Sequence, residues 1–290
     1  MHIVALTTCY NRCDHTLASL CDLHSQELPI GVTMSVAIVD DGCTDGTASM
    51  VGESYPDVKI ISGDGNLYWA GGMRFGWEQW VKVQPYDALL VFNDDIRLET
   101  NALGELIDTY HFARKMSCSL VVVSGAFRNG MSHEISYGGY VRSSLWHRLR
   151  FRMVEPTGSP RQIDTLNMNC ALISSEALKH VGFLAEYFRH GGADMEFGLR
   201  LRKAGGTVWL TKKSVGLCDR NESDLPDKGK KLSLSENFKL VTSVKGEPVT
   251  VRFKYYRDHG GFLWPVLFLG LYVRIFLNAM SNYYSRKPYT

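Results

Sequence analysis

An apolar run, Ala88-Leu89-Leu90-Val91-Phe92, ends abruptly in Asn93-Asp94-Asp95, the pattern of a buried strand delivering two adjacent acids to the edge of a sheet. Adjacent carboxylates repel unless a cation or a donor-rich ligand lies between them. Hard oxygen ligands on a short loop suit Mg2+ or Mn2+, which take one or two carboxylates and complete their shells with phosphate oxygens. The plainer alternative is a solvated turn leading into the next helix. A second acid-bearing loop, Asp40-Asp41-Gly42-Cys43-Thr44-Asp45-Gly46-Thr47, follows the apolar stretch 35–39, with Asp45 placed to cap the helix after it. A third, Gly191-Gly192-Ala193-Asp194-Met195-Glu196, opens a helix. Asp194 is there either a reactive carboxylate or a first-turn acid favoured by the helix dipole.

Strand-like stretches at 2–8, 35–39, 58–61 and 88–92 alternate with helical patterns near 14–24, after Asp45, and from the glycine-bearing segment 63–73 through Trp80. That alternation predicts βαβ units and an α/β fold with a mostly parallel sheet. Ligands of such sheets bind beyond the carboxyl ends of the strands. Loops 8–12, 40–46 and 93–95 are therefore expected at one edge. Further on, 120–126 reads as a strand, 134–142 as a hairpin around Gly138-Gly139, and 166–173 as an apolar stretch holding Asn167 and Asn169. Helices are expected at 174–181 and from 191 to about 204, with a strand at 207–210. Residues 219–240 are polar and read as a mobile linker.

With 290 residues, 45% apolar and 21% charged, the chain has ample core and no compositional sign of disorder. A formal charge of +2 gives no reason to expect nucleic acid. The seven cysteines contain no CxxC pair, which argues against a zinc or disulfide framework and for a reducing compartment. The N-terminal residues read as a first strand and not as a signal peptide. No G-x-G-x-x-G follows a strand, which disfavours dinucleotide redox chemistry.

Taken in order, Thr7-Thr8-Cys9-Tyr10-Asn11-Arg12, Val39-Asp40-Asp41-Gly42-Cys43-Thr44-Asp45-Gly46-Thr47, Asn66 with Trp69-Ala70-Gly71-Gly72-Met73, Asn93-Asp94-Asp95, and the segments 167–173 and 191–205 resemble the motifs of family 2 glycosyltransferases. These are inverting enzymes of GT-A fold, the rhamnosyltransferase-like builders of bacterial polysaccharide. The resemblance runs from residue 3 to about 215. It implies that Asp40 accepts the ring N–H of the donor base, that Thr8 and Tyr10 line the base pocket, and that Asp94 holds the ribose hydroxyls. Asn11, Arg12, Asp41, Asn66, Trp69, Gly71 and Gly72 fall on the donor side. Asp95 would ligate a divalent cation, Mg2+ or Mn2+, that stabilises the charge on the departing nucleoside diphosphate. Asp194 would be the base that takes the acceptor hydroxyl proton. Glu196, Asn169 and Trp69 are the acceptor-side candidates, and Trp69 is equally a core residue.

Cys43 stands where that family's motif usually has serine, and Ala193 where it has an acid. The family's metal-binding histidine has no counterpart in 213–220, leaving Cys218 or Asp219 as stand-ins. Residues 262–280 are apolar and aromatic but interrupted by Pro265, Gly270, Arg274 and Asn278, and basic and aromatic residues flank them. Such a tail fits a helix lying in a membrane interface, or one packed on the sheet or against a second copy in a homodimer. The basic stretch 142–161 fits the same membrane, a lipid-pyrophosphate acceptor, or a solvated face.

The expected organisation is a catalytic domain over 1–218, with a nucleotide-sugar half (1–97) and an acceptor half (98–218), then the linker 219–240 and a helical tail at 241–290. The expected activity is transfer from a UDP- or dTDP-sugar to a glycan or lipid-linked glycan of O-antigen or capsule. The expected place is the cytoplasm, peripherally on the cytoplasmic face of the inner membrane. A sugar nucleotidyltransferase is disfavoured because the loop after the first strand lacks glycine. A silent homologue is disfavoured because Asp40, Asp94, Asp95 and Asp194 are all present.

Overall fold

The computed structural model describes residues 1–219, 243 and 248–284. The expected linker at 219–240 lies, apart from Asp219, outside the described residues. Two compact units emerge, Met1–Val141 with Met153–Arg220, and Arg142–Arg152 with Asn221–Thr290.

In the first unit, strand β1 (His2–Cys9) is buried along seven of its eight residues and lies between β2 (Thr33–Asp40) and β4 (Ala88–Phe92). Both pairings are parallel, as is that of β2 with β3 (Lys59–Ser62). Runs such as Ala88-Leu89-Leu90-Val91-Phe92, buried throughout, are what a strand covered on both faces requires. The sheet continues from β4 through β12 (Cys170–Ser174), β6 (Val121–Arg128) and β13 (Thr207–Leu217) to β10 (Arg161–Ile163). Strand β12 runs antiparallel to β4, with Cys170 opposite Phe92, so its start lies at the edge where β1, β2 and β4 end. Helices α1 (Cys13–His24), α2 (Thr47–Ser54), α3 (Tyr68–Gly76), α5 (Ser175–Val181) and α6 (Ala193–Lys203) follow the expected order, and α4 (Ala102–Met116) is added between β4 and β6. A π-helical turn, Trp77–Val81, prolongs α3.

Two local expectations change. Gly138 is no hairpin tip: with φ at +148° it divides β7 (Ile135–Tyr137), paired with β6, from β8 (Gly139–Arg142), paired with β11 (Thr165–Leu166). One stretch thus serves two sheets, through a backbone turn that glycine adopts most readily. Gly46 holds the N-cap position of α2, and Asp45, one residue earlier, serves both helices: its Oδ1 accepts the Thr47 N–H at 3.1 Å at the start of α2 and its Oδ2 the Cys13 N–H at 2.9 Å at the start of α1.

In the second unit, α7 (Val249–His259) and α8 (Trp264–Tyr284) form a helical hairpin through Gly260 and Gly261. Its interior is aromatic: Phe253 meets Trp264 and Phe268 edge-on at 5.3 and 5.7 Å, and Phe268 meets Tyr272 at 5.0 Å. Among the described residues no helix is long and apolar enough to cross a membrane.

Candidate active site

The parallel register sets Cys9 of β1 beside Asp40 of β2, so the loops after both strands leave from one edge. Asn11, in the left-handed region at φ +51°, accepts the Thr44 N–H on Oδ1 at 2.7 Å and gives its own N–H to Cys43 Sγ. Asparagine tolerates that conformation better than most residues. The two loops are thereby tied together. Asp40 accepts the Cys43 N–H at 2.8 Å, closing a local turn.

After β4, Asp94 is 7% exposed. Burial, then the neighbouring Asp95, raises its pKa to about 7 against the opposing pull of Arg12. The Arg12 Nη1 donates to Asp95 Oδ2 at 2.7 Å and to Asp94 Oδ1 at 3.5 Å. This guanidinium stands on both carboxylates, answering the repulsion that adjacent acids generate. Trp69 Nε1 donates to Asn93 Oδ1 at 2.9 Å, joining the start of α3 to the acid loop. Asn93 in turn gives its N–H to the Asn169 carbonyl at 2.9 Å, which joins that loop to the start of β12.

Asp194 lies in the first turn of α6, behind Gly192 at φ +85°. Its Oδ2 accepts Asn167 Nδ2 at 3.1 Å and its Oδ1 the Met195 N–H at 2.8 Å. Desolvation raises its pKa, opposed by the Asn167 amide and by backbone N–H groups of Met195 and Met168. Asn167 is itself bonded to the Tyr140 hydroxyl at 2.9 Å. Residues 167–169 lead directly into β12 opposite Phe92, so Asp194 and the Asp94–Asp95 pair are fastened to the same sheet edge.

Several residues expected to meet the donor or acceptor make contacts within the fold. The Thr8 hydroxyl is turned inward, donating to the Val39 carbonyl at 3.3 Å and lying under α3, whereas Tyr10 is exposed. Asp41 is buried and accepts backbone N–H groups from Gly65, Leu67 and Tyr68, each at 3.0 Å, so it anchors the loop before α3. Gly72 lets α3 approach β1: a Cβ there would run into the Thr8 hydroxyl and lie 3.0 Å from Thr8 Cβ. Glu196 is 3% exposed and held by Arg200 at 3.0–3.2 Å, one helical turn on. Asn169 is buried, its amide 3.5 Å from Cys218 Sγ. Asn66 and Gly71 border a cavity of about 700 Å³ on the outer side of α3, lined by none of the four candidate acids. Arg189, to which the sequence pointed in no way, accepts the N–H groups of Ala70 and Gly71 on its carbonyl and lays its guanidinium over Tyr68 at 5.1 Å.

The donor chemistry fits a hard divalent cation at Asp95, where oxygen ligands already bear a positive group in Arg12. Of the two stand-ins for the histidine, Asp219 accepts the Gly130 N–H on Oδ1 at 2.8 Å, and Cys218 is buried within reach of the Asp95 charge. A different trio, Cys9, Asp40 and Cys43, has its ligand atoms within 4.8 Å of one another. Its thiols suit neither Mg2+ nor Mn2+, and burial raises the Cys43 pKa to about 11.

A mixed α/β sheet whose strands β1 to β4 run parallel gathers acid-bearing loops at the carboxyl ends of β1, β2 and β4, the edge at which such sheets take their ligands. The glycosyl transferase family 2 profile matches residues 5–182, and the chain belongs to that family. The chain is 26% identical over 210 residues to the N-acetylglucosaminyl-diphospho-decaprenol L-rhamnosyltransferases of two Mycobacterium tuberculosis strains, CDC 1551 / Oshkosh and ATCC 25618 / H37Rv. The match covers 61% of this chain and 63% of those proteins. Among solved structures, Staphylococcus aureus TarS 1–349 superposes with a TM-score of 0.56 at 14% identity, over 100% of this chain and 93% of that one. GalNAc-T7 with UDP, GalNAc and Mn2+ gives 0.56 at 13%, over 83% and 47%. The Pyrobaculum calidifontis mannosyltransferase PcManGT with GDP-Man and Mn2+ gives 0.54 at 13%, over 97% and 73%. The fold is that of GT-A glycosyltransferases, and the chain spans a little under two thirds of the length of the curated relatives it matches.

Proposed function

We propose that this enzyme is an inverting glycosyltransferase that moves a sugar from a UDP- or dTDP-linked donor to a glycan acceptor in bacterial cell-surface polysaccharide, of O-antigen or capsule type. The observation that carries this reading is the fastening of Asp40, Asp94–Asp95 and the Asn167-held Asp194 to one sheet edge. In it, Asp40 receives the base N–H and Asp94 the ribose hydroxyls, while Arg12 and Asp95 face the diphosphate. Asp95 would hold a divalent cation, which when bound supplies charge stabilisation to the leaving diphosphate. The acceptor oxygen attacks the anomeric carbon as the bond from that carbon to the diphosphate oxygen breaks, and Asp194 takes the hydroxyl proton. The raised pKa of Asp194 suits a proton acceptor in a desolvated site.

The relatives' name supports a lipid-linked acceptor. In this reading residues 1–218 form the catalytic domain, and the helical tail in 241–290 rests on the cytoplasmic face of the inner membrane. The test is thermal stabilisation by a panel of nucleotide sugars with and without Mn2+, followed by NMR of the product's anomeric centre. A ligand at about a hundred times its Kd stabilises the fold by about 2.7 kcal/mol. Stabilisation by a UDP- or dTDP-sugar and an inverted product are expected; a retained configuration, or indifference to every nucleotide, overturns the reading.

A further inference from the structure

The second compact unit brings two stretches far apart in sequence, Arg142–Arg152 and the helical hairpin, into one body. A Cβ at Gly261 would lie 2.8 Å from Arg148 Cδ, so the basic loop touches the hairpin at its turn. The loop is closed by its own hydrogen bonds, Ser143 N–H to the Arg150 carbonyl at 2.8 Å and Arg142 Nε to the Arg148 carbonyl at 3.1 Å. Its tip presents Leu145 at 93% exposure and Trp146 at 74%.

On α8, Trp264 and Phe268 pack on Phe253 and Tyr256 of α7, with Tyr272 against Phe268, which leaves the opposite face open. That face carries Val266, Leu269, Val273, Phe276 and Leu277, all more than half exposed, with Phe262 just before the helix. A contiguous exposed apolar stripe of this kind marks an interaction surface. Charge is sorted with it. Of the chain's 32 Lys and Arg and 30 Asp and Glu, residues 142–152 and 248–284 hold eight of the former and one of the latter, which leaves an excess of acid elsewhere. Arg142, Arg148, Arg150, Arg152 and Arg274 are all exposed.

We infer that the loop 142–152 and the open face of α8 form one docking surface for an anionic lipid bilayer, with Leu145, Trp146 and the α8 stripe entering the acyl boundary and the arginines meeting the headgroups. This deepens the membrane-side reading proposed above and rests on it. A second copy of the chain is the poorer occupant, because two such faces would oppose like charges. Spanning is disfavoured because no described helix is long and apolar enough to cross. An apolar face edged by arginine is the form of a helix lying in the interface plane.

The test is sedimentation of the full chain with phosphatidylcholine vesicles, with and without phosphatidylglycerol. The wild type pellets with the anionic vesicles alone, and added salt releases it. The double variant Arg148→Ala/Arg150→Ala, both residues exposed, lowers the partition coefficient roughly 30-fold. Val273→Asp, on the open face, abolishes pelleting while far-UV circular dichroism and the melting temperature stay unchanged. Failure of the wild type to pellet overturns the inference, as does pelleting untouched by the loop variant. A dimer without vesicles that Val273→Asp dissolves assigns the face to a second copy and overturns it as well. Nucleotide-sugar stabilisation, measured on the same samples, separates failure of this surface from failure of the transfer reading.

Discussion

Asp194 and Asn167 form a pair whose separate removal is informative. Asp194→Asn is expected to abolish transfer while donor-induced stabilisation persists; loss of donor binding instead would make Asp194 a structural residue. Because burial raises the Asp194 pKa, the acid limb of kcat/KM should fall above the ordinary carboxylate range near 4. Asn167→Ala removes a hydrogen bond that favours the charged form and should move that limb to still higher pH. The sign for stability runs the same way: a raised folded pKa contributes stability below the unfolded value, lost as pH rises through the folded one. Arg12 offers a second test at this scale. It occupies Asp95 at 2.7 Å, so Arg12→Ala should tighten Mn2+ binding to the nucleotide-free protein about tenfold, read by electron paramagnetic resonance. An unchanged Mn2+ affinity would remove Asp95 from the cation site.

At the scale of elements, α3 and the loop before it depend on two devices. Asp41 ties down three backbone N–H groups of 65–68, and Asp41→Ala should lower stability by about 3 kcal/mol or more in urea denaturation, because buried donors lose their acceptor. Gly72→Ala should cost about 2 kcal/mol through overpacking against Thr8, and Thr8→Ala in the same chain should recover most of it. If the double variant is no more stable than Gly72→Ala alone, the helix is not held off by Thr8. Neither device was visible in the chain order. Asp41 reads as one more acid in an acidic loop, and nothing in Thr8 announces that its hydroxyl lies beneath a helix sixty residues on.

For the whole molecule, the order of strands and the edge they share follow from pattern alone. Apolar runs that end in acids, alternating with helical stretches, admit little besides a parallel sheet with its polar loops at one end. Ala88–Phe92 and the loops at 9–12 and 40–46 stand where that pattern requires. The partition into two units was less legible, since residues 142–152 join the tail through contacts with partners about a hundred positions away. Summed over the chain, a charge of +2 conceals how strongly the basic residues are gathered into one unit.

By itself, then, the chain determined which residue types are present at each strand end and in what order, because burial periodicity and turn chemistry act over a few residues. Tertiary structure decided which groups surround each of those acids. Asp40, Asp94 and Asp41 look alike in sequence, yet Asp41 is surrounded by backbone donors and Asp94 by Asp95 and Arg12. Glu196 sits two residues from Asp194 but one helical turn from Arg200, and that ion pair gives its carboxylate a different environment. A carboxylate's chemistry is set by what surrounds it within a few ångströms, and those neighbours arrive from distant parts of the chain.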